Sequence, residues 1–146
     1  MIRQATLNDL YAIEEVEKAS FEGLIAWDRM DLEYQIKRGR MWVSEVFTGY
    51  EQPSDMEVVG YVNVRFRYGQ GRLESVAVLP SFRKLSHGRD LILHAIAVLG
   101  MLGAKCCDLD CSPDLVPLYS KYGFKVCGYS HGHYAGEDMV VMRRVL

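Results

Sequence analysis

The sequence lacks the features that mark a membrane-spanning or secreted protein. No run of apolar residues approaches the length of about 18 that a membrane-crossing helix needs. The opening Met1-Ile2-Arg3-Gln4-Ala5-Thr6 has neither the apolar core nor the small-residue cleavage site of a secretory signal. There is no low-complexity tract and no internal repeat. Charge of one sign is not in excess: 17 basic against 19 acidic residues leave a formal net charge of −2. Wholesale nucleic-acid binding, which uses a basic face to displace counterions from phosphates, is therefore not expected. The four cysteines contain no Cys-x-x-Cys pair. Adding His131 and His133 gives no familiar zinc spacing, so no metal site is expected. What remains is a single cytosolic domain over residues 1–146 with reduced thiols. A chain of 146 residues buries about 70% of its unfolded surface and needs no staples.

What is present is patterned. Thr6 followed by Asp9 resembles a capping box, and Leu10, Ile13 and Val16 then recur at helical spacing. With Glu14, Glu15, Glu17 and Lys18 on other faces, this predicts a helix over 7–20; a second is read over 28–38. Met41 to Phe47 is β-rich, and Thr48 to Asp55 reads as a hairpin loop. Val58 to Tyr68 alternates, with Val62, Val64 and Phe66 on one face and Asn63, Arg65 and Arg67 on the other. Gly69-Gln70-Gly71 turns the chain into a strand over Leu73–Val78. Leu91, Ile92, Ala95, Ile96 and Leu99 share one face of a helix that Gly100 and Gly103 close. A short strand over 105–111 follows, then a helix opened by Pro113 and stopped by Gly123. Strands near 124–129 and 139–146 end the chain. Antiparallel hairpins followed by a strand–helix–strand crossover predict a mixed α/β sheet.

The stretch from Val76, Ala77 and Val78 through Arg83, Lys84, Leu85, Ser86, His87, Gly88 and Arg89 runs from a strand through a polar loop into a helix. That order aims several backbone N–H groups and the positive end of the helix dipole at one spot, around which Arg83, Lys84 and Arg89 add charge. Such a site suits a pyrophosphate. It is not a Walker loop, because no Gly-x-x-x-x-Gly-Lys-Ser/Thr occurs. The Gly-x-Gly at Gly69-Gln70-Gly71 leads into a strand rather than a helix, so it is no dinucleotide fingerprint.

Arg83-x-x-Ser86-x-Gly88 resembles the acetyl-CoA signature of the GNAT acetyltransferase superfamily, usually Arg/Gln-x-x-Gly-x-Gly/Ala. Ile2-Arg3-x-Ala5-Thr6-x-x-Asp9 resembles that family's first strand and helix, and Ser75-Val76-Ala77-Val78-x-Pro80 its fourth strand. Leu118-Tyr119-x-Lys121-x-Gly123-Phe124 resembles its Leu-Tyr-x-x-x-Gly-Phe motif. The resemblance covers nearly the whole chain. It implies a central, mostly antiparallel sheet of six to seven strands, splayed between strands four and five, with about four helices. It also implies that the loop amides hold the pyrophosphate of acetyl-CoA and that the pantetheine arm lies between the splayed strands. A backbone N–H near Val76 to Val78 would meet the oxyanion, and Tyr119 would lie near the thioester sulfur. Two positions depart from the pattern. Ser86 stands where glycine is usual, and Ser112-Pro113-Asp114-Leu115 replaces the region of a frequent asparagine.

Acetyl transfer needs an unprotonated amine, a stabilised oxyanion and a proton for the departing thiolate. Glu74 and Asp110, on the fourth and fifth strands, are the candidate bases, each acting through a water. The competing reading makes each a strand carboxylate paired with Arg72 or Lys105, and makes Tyr119 a core aromatic beside Leu118 and Tyr122. His131 and His133 are further candidate bases, against the reading that two histidines in a polar loop are simply exposed. The tail from Tyr134 to Arg144 resembles that of the N-terminal protein acetyltransferases, which implies that Tyr134, with Phe21 or Trp27, lines a peptide entrance. His133 occupies the place of their second tyrosine. Cys107-x-Leu109-Asp110-Cys111 with Tyr119 resembles instead the glucosamine-6-phosphate N-acetyltransferases, for which Arg65, Arg67 and Arg72 would meet the phosphate. Three readings follow: an acetyl-CoA-dependent N-acetyltransferase of protein N-termini, one of small amines such as aminosugars, polyamines or antibiotics, or a non-catalytic acyl-CoA-binding module. A monomer and a homodimer are both compatible with the sequence.

Overall fold

The computed structural model describes residues 1–21, 26–49, 55–134 and 137–146. Its strands are β1 (Ile2–Gln4), β2 (Met41–Phe47), β3 (Met56–Arg67), β4 (Gln70–Val78), β5 (Cys106–Cys111), β6 (Lys125–Tyr134) and β7 (Glu137–Val145). They form one seven-stranded sheet in the order β1-β2-β3-β4-β5-β7-β6. The helices are α1 (Leu10–Ser20), α2 (Arg29–Lys37), α3 (His87–Met101) and α4 (Val116–Ser120). The pairs β1–β2, β2–β3, β5–β7 and β7–β6 run antiparallel, whereas β4 and β5 are parallel. Their register covers only Gln70–Arg72 against Cys106–Asp108, so the two strands part after three residue pairs. This is the splayed, mostly antiparallel sheet that the sequence motifs imply. No helix among the described residues is long and apolar enough to cross a membrane. The chain groups into two compact units, residues 1–63 with 75–92, and residues 64–74 with 93–146.

In the first unit, the predicted helix over 7–20 begins as a 3-10 turn, Leu7–Asp9, before α1 proper. Asp9 organises the entry: its carboxylate accepts the Thr6 N–H at 2.8 Å and both forks of the Arg3 guanidinium at 2.8 Å. Asp28 caps α2 by accepting the Asp31 N–H at 2.9 Å. Ile13 and Val16 of α1, Leu32 and Ile36 of α2, Met41 and Val43 of β2, and Tyr61 of β3 bury together in one apolar cluster. Glu14 and Glu17, expected on exposed faces, are buried instead. Their spacing explains it: Leu10, Ile13, Glu14 and Glu17 fall at i, i+3, i+4 and i+7, the stripe that faces a core. Each carboxylate is kept there by hydrogen bonds, Glu14 to Arg29 and Lys18, and Glu17 to Tyr61 and the Trp27 N–H. Asn63 departs similarly. Predicted on a polar face, it is fully buried and donates to Gln35 Oε1 at 3.2 Å, because β3 is covered on both sides at its centre. Most of the loop read over Thr48 to Asp55 lies outside the described residues.

In the second unit, the β3–β4 turn falls one residue earlier than the glycines suggest. Tyr68 and Gly69 carry φ of 52° and 77°, the two left-handed residues of a tight hairpin. Gly100 does not end α3 but lies inside it; Gly103, with φ of 90°, is the terminator. Pro113 opens a 3-10 turn, Pro113–Leu115, and α4 is only five residues long before Gly123, with φ of 86°, stops it.

Candidate active site

The loop from Ser81 to Ser86 links β4 to α3 and sits in the first unit. Lys84 and Ser86 have φ of 66° and 73°, two left-handed residues on either side of Leu85. Alternation of hand turns successive N–H groups toward one side and makes a concave anion cradle. Among the described residues, none of the N–H groups from Lys84 to Arg89 donates to a backbone carbonyl; the first such bond runs from Asp90 N–H to Ser86 C=O at 2.9 Å. A Cβ on Gly88 would touch only Val78 Cγ2, at 3.8 Å, so the protein's own packing does not call for glycine there. The position faces open space on its other sides. These features fit a pyrophosphate.

The loop is pinned from beneath. The His87 ring packs edge-on to Phe82 and its Nδ1 lies 3.3 Å from Oγ of buried Ser44 on β2. Arg83 donates from Nε to the Val78 carbonyl at 2.9 Å, which ties the loop to the end of β4. Arg89 reaches the Asp90 carboxylate at 3.3 Å. The basic residues thus brace the loop as much as they charge it.

Behind β4, still in the first unit, stands a chain of polar groups far apart in sequence. The Glu17 carboxylate accepts the Trp27 N–H at 3.0 Å on one oxygen and the Tyr61 hydroxyl on the other. Tyr61 Oη lies 2.9 Å from Ser75 Oγ. Burial raises the Glu17 carboxyl above its usual range despite both hydrogen bonds, and burial with the adjacent Glu17 raises the Tyr61 phenol well above 10. Phe21 and Trp27, the candidate acceptor-lining residues, pack half-buried on the same apolar cluster as Tyr61 and Ala77. The signal in the sequence for this chain of polar groups is the position of Glu17 on the apolar stripe of α1.

In the second unit, Arg72 joins the two candidate bases. Its guanidinium lies 2.7 Å from Asp110 and 3.9 Å from Glu74, and Arg65 reaches Glu74 at 2.9 Å. Glu74 and Ser75 are neighbours on β4, yet they meet Arg65 and Tyr61, which share one face of β3. The Tyr119 ring is buried edge-on to Phe124, with centroids 5.9 Å apart, and burial raises its hydroxyl to about 12. His131 is exposed and pairs with Asp138 at 3.3 Å. The side chains of His133 and Tyr134 lie outside the described residues. Cys106, Cys107 and Cys111 are buried in β5, and burial pushes the Cys107 thiol up to about 12, where it is inert. An open cleft of about 490 Å³, lined by Pro113, Val116, Val126, Tyr129 and Met139 among others, contains none of the predicted site residues.

A model of the acetyltransferase (GNAT) family matches residues 10–124. The chain belongs to the GNAT acetyltransferases. Among solved structures, the GNAT chain is similar to Ard1 from Thermoplasma volcanium, with a TM-score of 0.84 at 17% identity, covering 100% of this chain and 97% of that one. It is similar to the ribosomal-protein-S18-alanine N-acetyltransferase from Escherichia coli, with a TM-score of 0.79 at 18% identity, covering 99% and 92%. Naa50 from Arabidopsis thaliana, bound to the bisubstrate analogue CoA-Ac-MVNAL, superposes with a TM-score of 0.79 at 16% identity, covering 100% and 98%. No curated protein sequence matches. As a GNAT acetyltransferase, the protein takes its acetyl group from acetyl-CoA.

Proposed function

We propose that this acetyltransferase transfers acetyl from acetyl-CoA to the α-amine of a protein N-terminus, by direct attack of the amine on the thioester in a ternary complex. The observation that carries the donor half is the 81–88 loop, with left-handed Lys84 and Ser86, N–H groups that donate to no backbone carbonyl among the described residues, and a Gly88 that protein packing leaves uncrowded. Val76, Ala77 and Val78 precede it on β4 and would supply the backbone N–H for the oxyanion. Tyr119, protonated at neutral pH, would give its hydroxyl proton to the departing thiolate.

Two observations favour an N-terminal α-amine. Phe21 and Trp27 offer a half-buried aromatic surface rather than a charged one. Structural relatives include an enzyme named for the S18 alanine and one bound to a CoA–peptide analogue. An α-amine, with a reference pKa of about 8, also asks less of a base than a lysine at about 10.4. The aminosugar-phosphate reading has less support, because Arg65 and Arg72 already meet the carboxylates of Glu74 and Asp110. Cytosolic location, where unbridged thiols stay reduced, goes with the proposal.

Thermal melts with acetyl-CoA, coenzyme A and NAD test the donor site: both CoA species raise the melting temperature and NAD does not. Thiol release with a peptide panel and an amine panel tests the acceptor. Turnover with free N-terminal peptides is expected, and turnover confined to small amines would overturn the N-terminal reading. Binding of acetyl-CoA with no turnover on either panel would point to a non-catalytic module.

A further inference from the structure

We propose that Glu17 takes up the proton that the attacking amine gives up, through Tyr61 and Ser75. The proposal rests on the acetyl-transfer reading above and supplies the base that reading lacks, since Glu74 and Asp110 are both engaged by arginines.

The three groups are in hydrogen-bonded series. Ser75, on β4 and partly exposed, is the outer end; Tyr61, fully buried on β3, is the middle; Glu17, 2% exposed on α1, is the inner end. Ser75 directly precedes Val76, whose stretch of β4 is the expected oxyanion donor. The inner end holds the Trp27 N–H, and Trp27 packs on the same cluster as Tyr61. Series and acceptor-lining aromatics therefore belong to one compact set of side chains. A buried carboxylate costs more than an apolar side chain of similar volume. A carboxylate ending a hydroxyl chain that opens on β4 has a use that such a side chain would not have.

The balance is simple. The amine nitrogen forms its bond to the thioester carbon and one of its protons passes to Ser75 Oγ. The Ser75 proton moves to Tyr61 and the Tyr61 proton to Glu17, so each hydroxyl ends neutral. The carbon–sulfur bond breaks and sulfur takes its proton from Tyr119. After release, Glu17 returns a proton to solvent and Tyr119 regains one. The groups that face Glu17 are Tyr61 from β3, the Trp27 N–H and, through Tyr61, the Ser75 hydroxyl from β4. From α2, Arg29 turns to Glu14, and from α1 itself Lys18 does the same. Burial raises the Glu17 carboxyl, which brings its basicity closer to that of an α-amine.

The variants Ser75→Ala, Ser75→Thr, Tyr61→Phe and Glu17→Gln test the series, with melting temperature and acetyl-CoA affinity measured on each. Ser75→Ala, at the open end, is the variant least disturbing to folding. It is expected to lower kcat about a hundredfold with unchanged acetyl-CoA affinity, Ser75→Thr restores most of the rate, and Glu17→Gln removes the acid-side limb of the kcat–pH profile. Folded Ser75→Ala that turns over within about twofold of wild type, with the acid limb intact, overturns the relay. A wild type that binds acetyl-CoA yet releases no thiol with any amine overturns the acetyl-transfer reading instead.

Discussion

The Arg72 guanidinium lies 2.7 Å from the carboxylate of Asp110, a side chain only 11% exposed, and the same guanidinium is 3.9 Å from Glu74. One arginine thus fixes the relation between two strands where β4 and β5 begin to part. Removing it leaves Asp110 as a mostly desolvated, uncompensated charge. Arg72→Met is expected to destabilise the protein by about 2 kcal/mol, and adding Asp110→Asn recovers much of the loss. Urea unfolding of the two singles and the double gives the coupling directly. Additive single-variant effects would mean the pair contributes nothing.

Ser86 and Gly88 separate strain from fit. Ser86 holds φ of 73° with a Cβ, so Ser86→Gly relieves left-handed strain and is expected to stabilise by about 0.5–1 kcal/mol, with acetyl-CoA binding retained. Gly88→Ala adds a Cβ that meets only Val78 at 3.8 Å, so it leaves the melting temperature near wild type while weakening acetyl-CoA severalfold or more. Calorimetric titration with acetyl-CoA beside thermal melts checks both.

The acid stability should carry the mark of Glu14. Its bonds to Arg29 and Lys18 hold its carboxyl at about 2, against 4.5 when unfolded. At neutral pH both states are ionised and the native contacts contribute fully. As pH falls below 4.5, the unfolded chain binds a proton the native site refuses, and stability declines toward 2. Glu14→Gln is expected to flatten this part of the curve. Glu17 acts with the opposite sign: burial raises its native value, so its contribution falls as pH rises above 4.5. Glu17→Gln is therefore expected to be no less stable than wild type at pH 7. Urea midpoints between pH 2 and pH 7 read both effects.

Much of the fold was legible because it is written in periodicity. The α3 stripe of Leu91, Ile92, Ala95, Ile96 and Leu99 is wholly buried, as helical spacing requires. The phosphate-type loop was legible from its order, a strand, a polar stretch and a helix. Ser86 illustrates the limit: it stands where the motif usually has glycine, and only the folded backbone supplies its φ of 73°. Glu17 and Asn63 were misplaced for one reason. A polar side chain reads as exposed until its partners are known, and these partners, Tyr61 and Gln35, lie 44 and 28 residues away. Arg65 and Arg72, legible as a phosphate site, meet the carboxylates of Glu74 and Asp110 instead; for Arg72 this is the competing reading of the sequence, whereas the Arg65–Glu74 pair is visible only in the fold.

The variant Tyr119→Phe separates binding from chemistry. With its hydroxyl raised to about 12, Tyr119 is protonated throughout the neutral range and is fitted to donate. Tyr119→Phe is expected to lower kcat by about tenfold to a hundredfold with little change in acetyl-CoA affinity. Steady-state thiol release together with titration of acetyl-CoA distinguishes this from a packing defect, which would move the melting temperature as well. An unchanged kcat would remove Tyr119 from the acid role.

The most direct measurement is mass spectrometry of a peptide pair after incubation with the enzyme and acetyl-CoA, one peptide with a free N-terminus and internal lysine, the other identical but blocked at its N-terminus. One acetyl group on the free peptide, located at its α-amine, and none on the blocked peptide is the predicted result. Acetylation of the lysine in both, or of neither while a small amine is consumed, would contradict it.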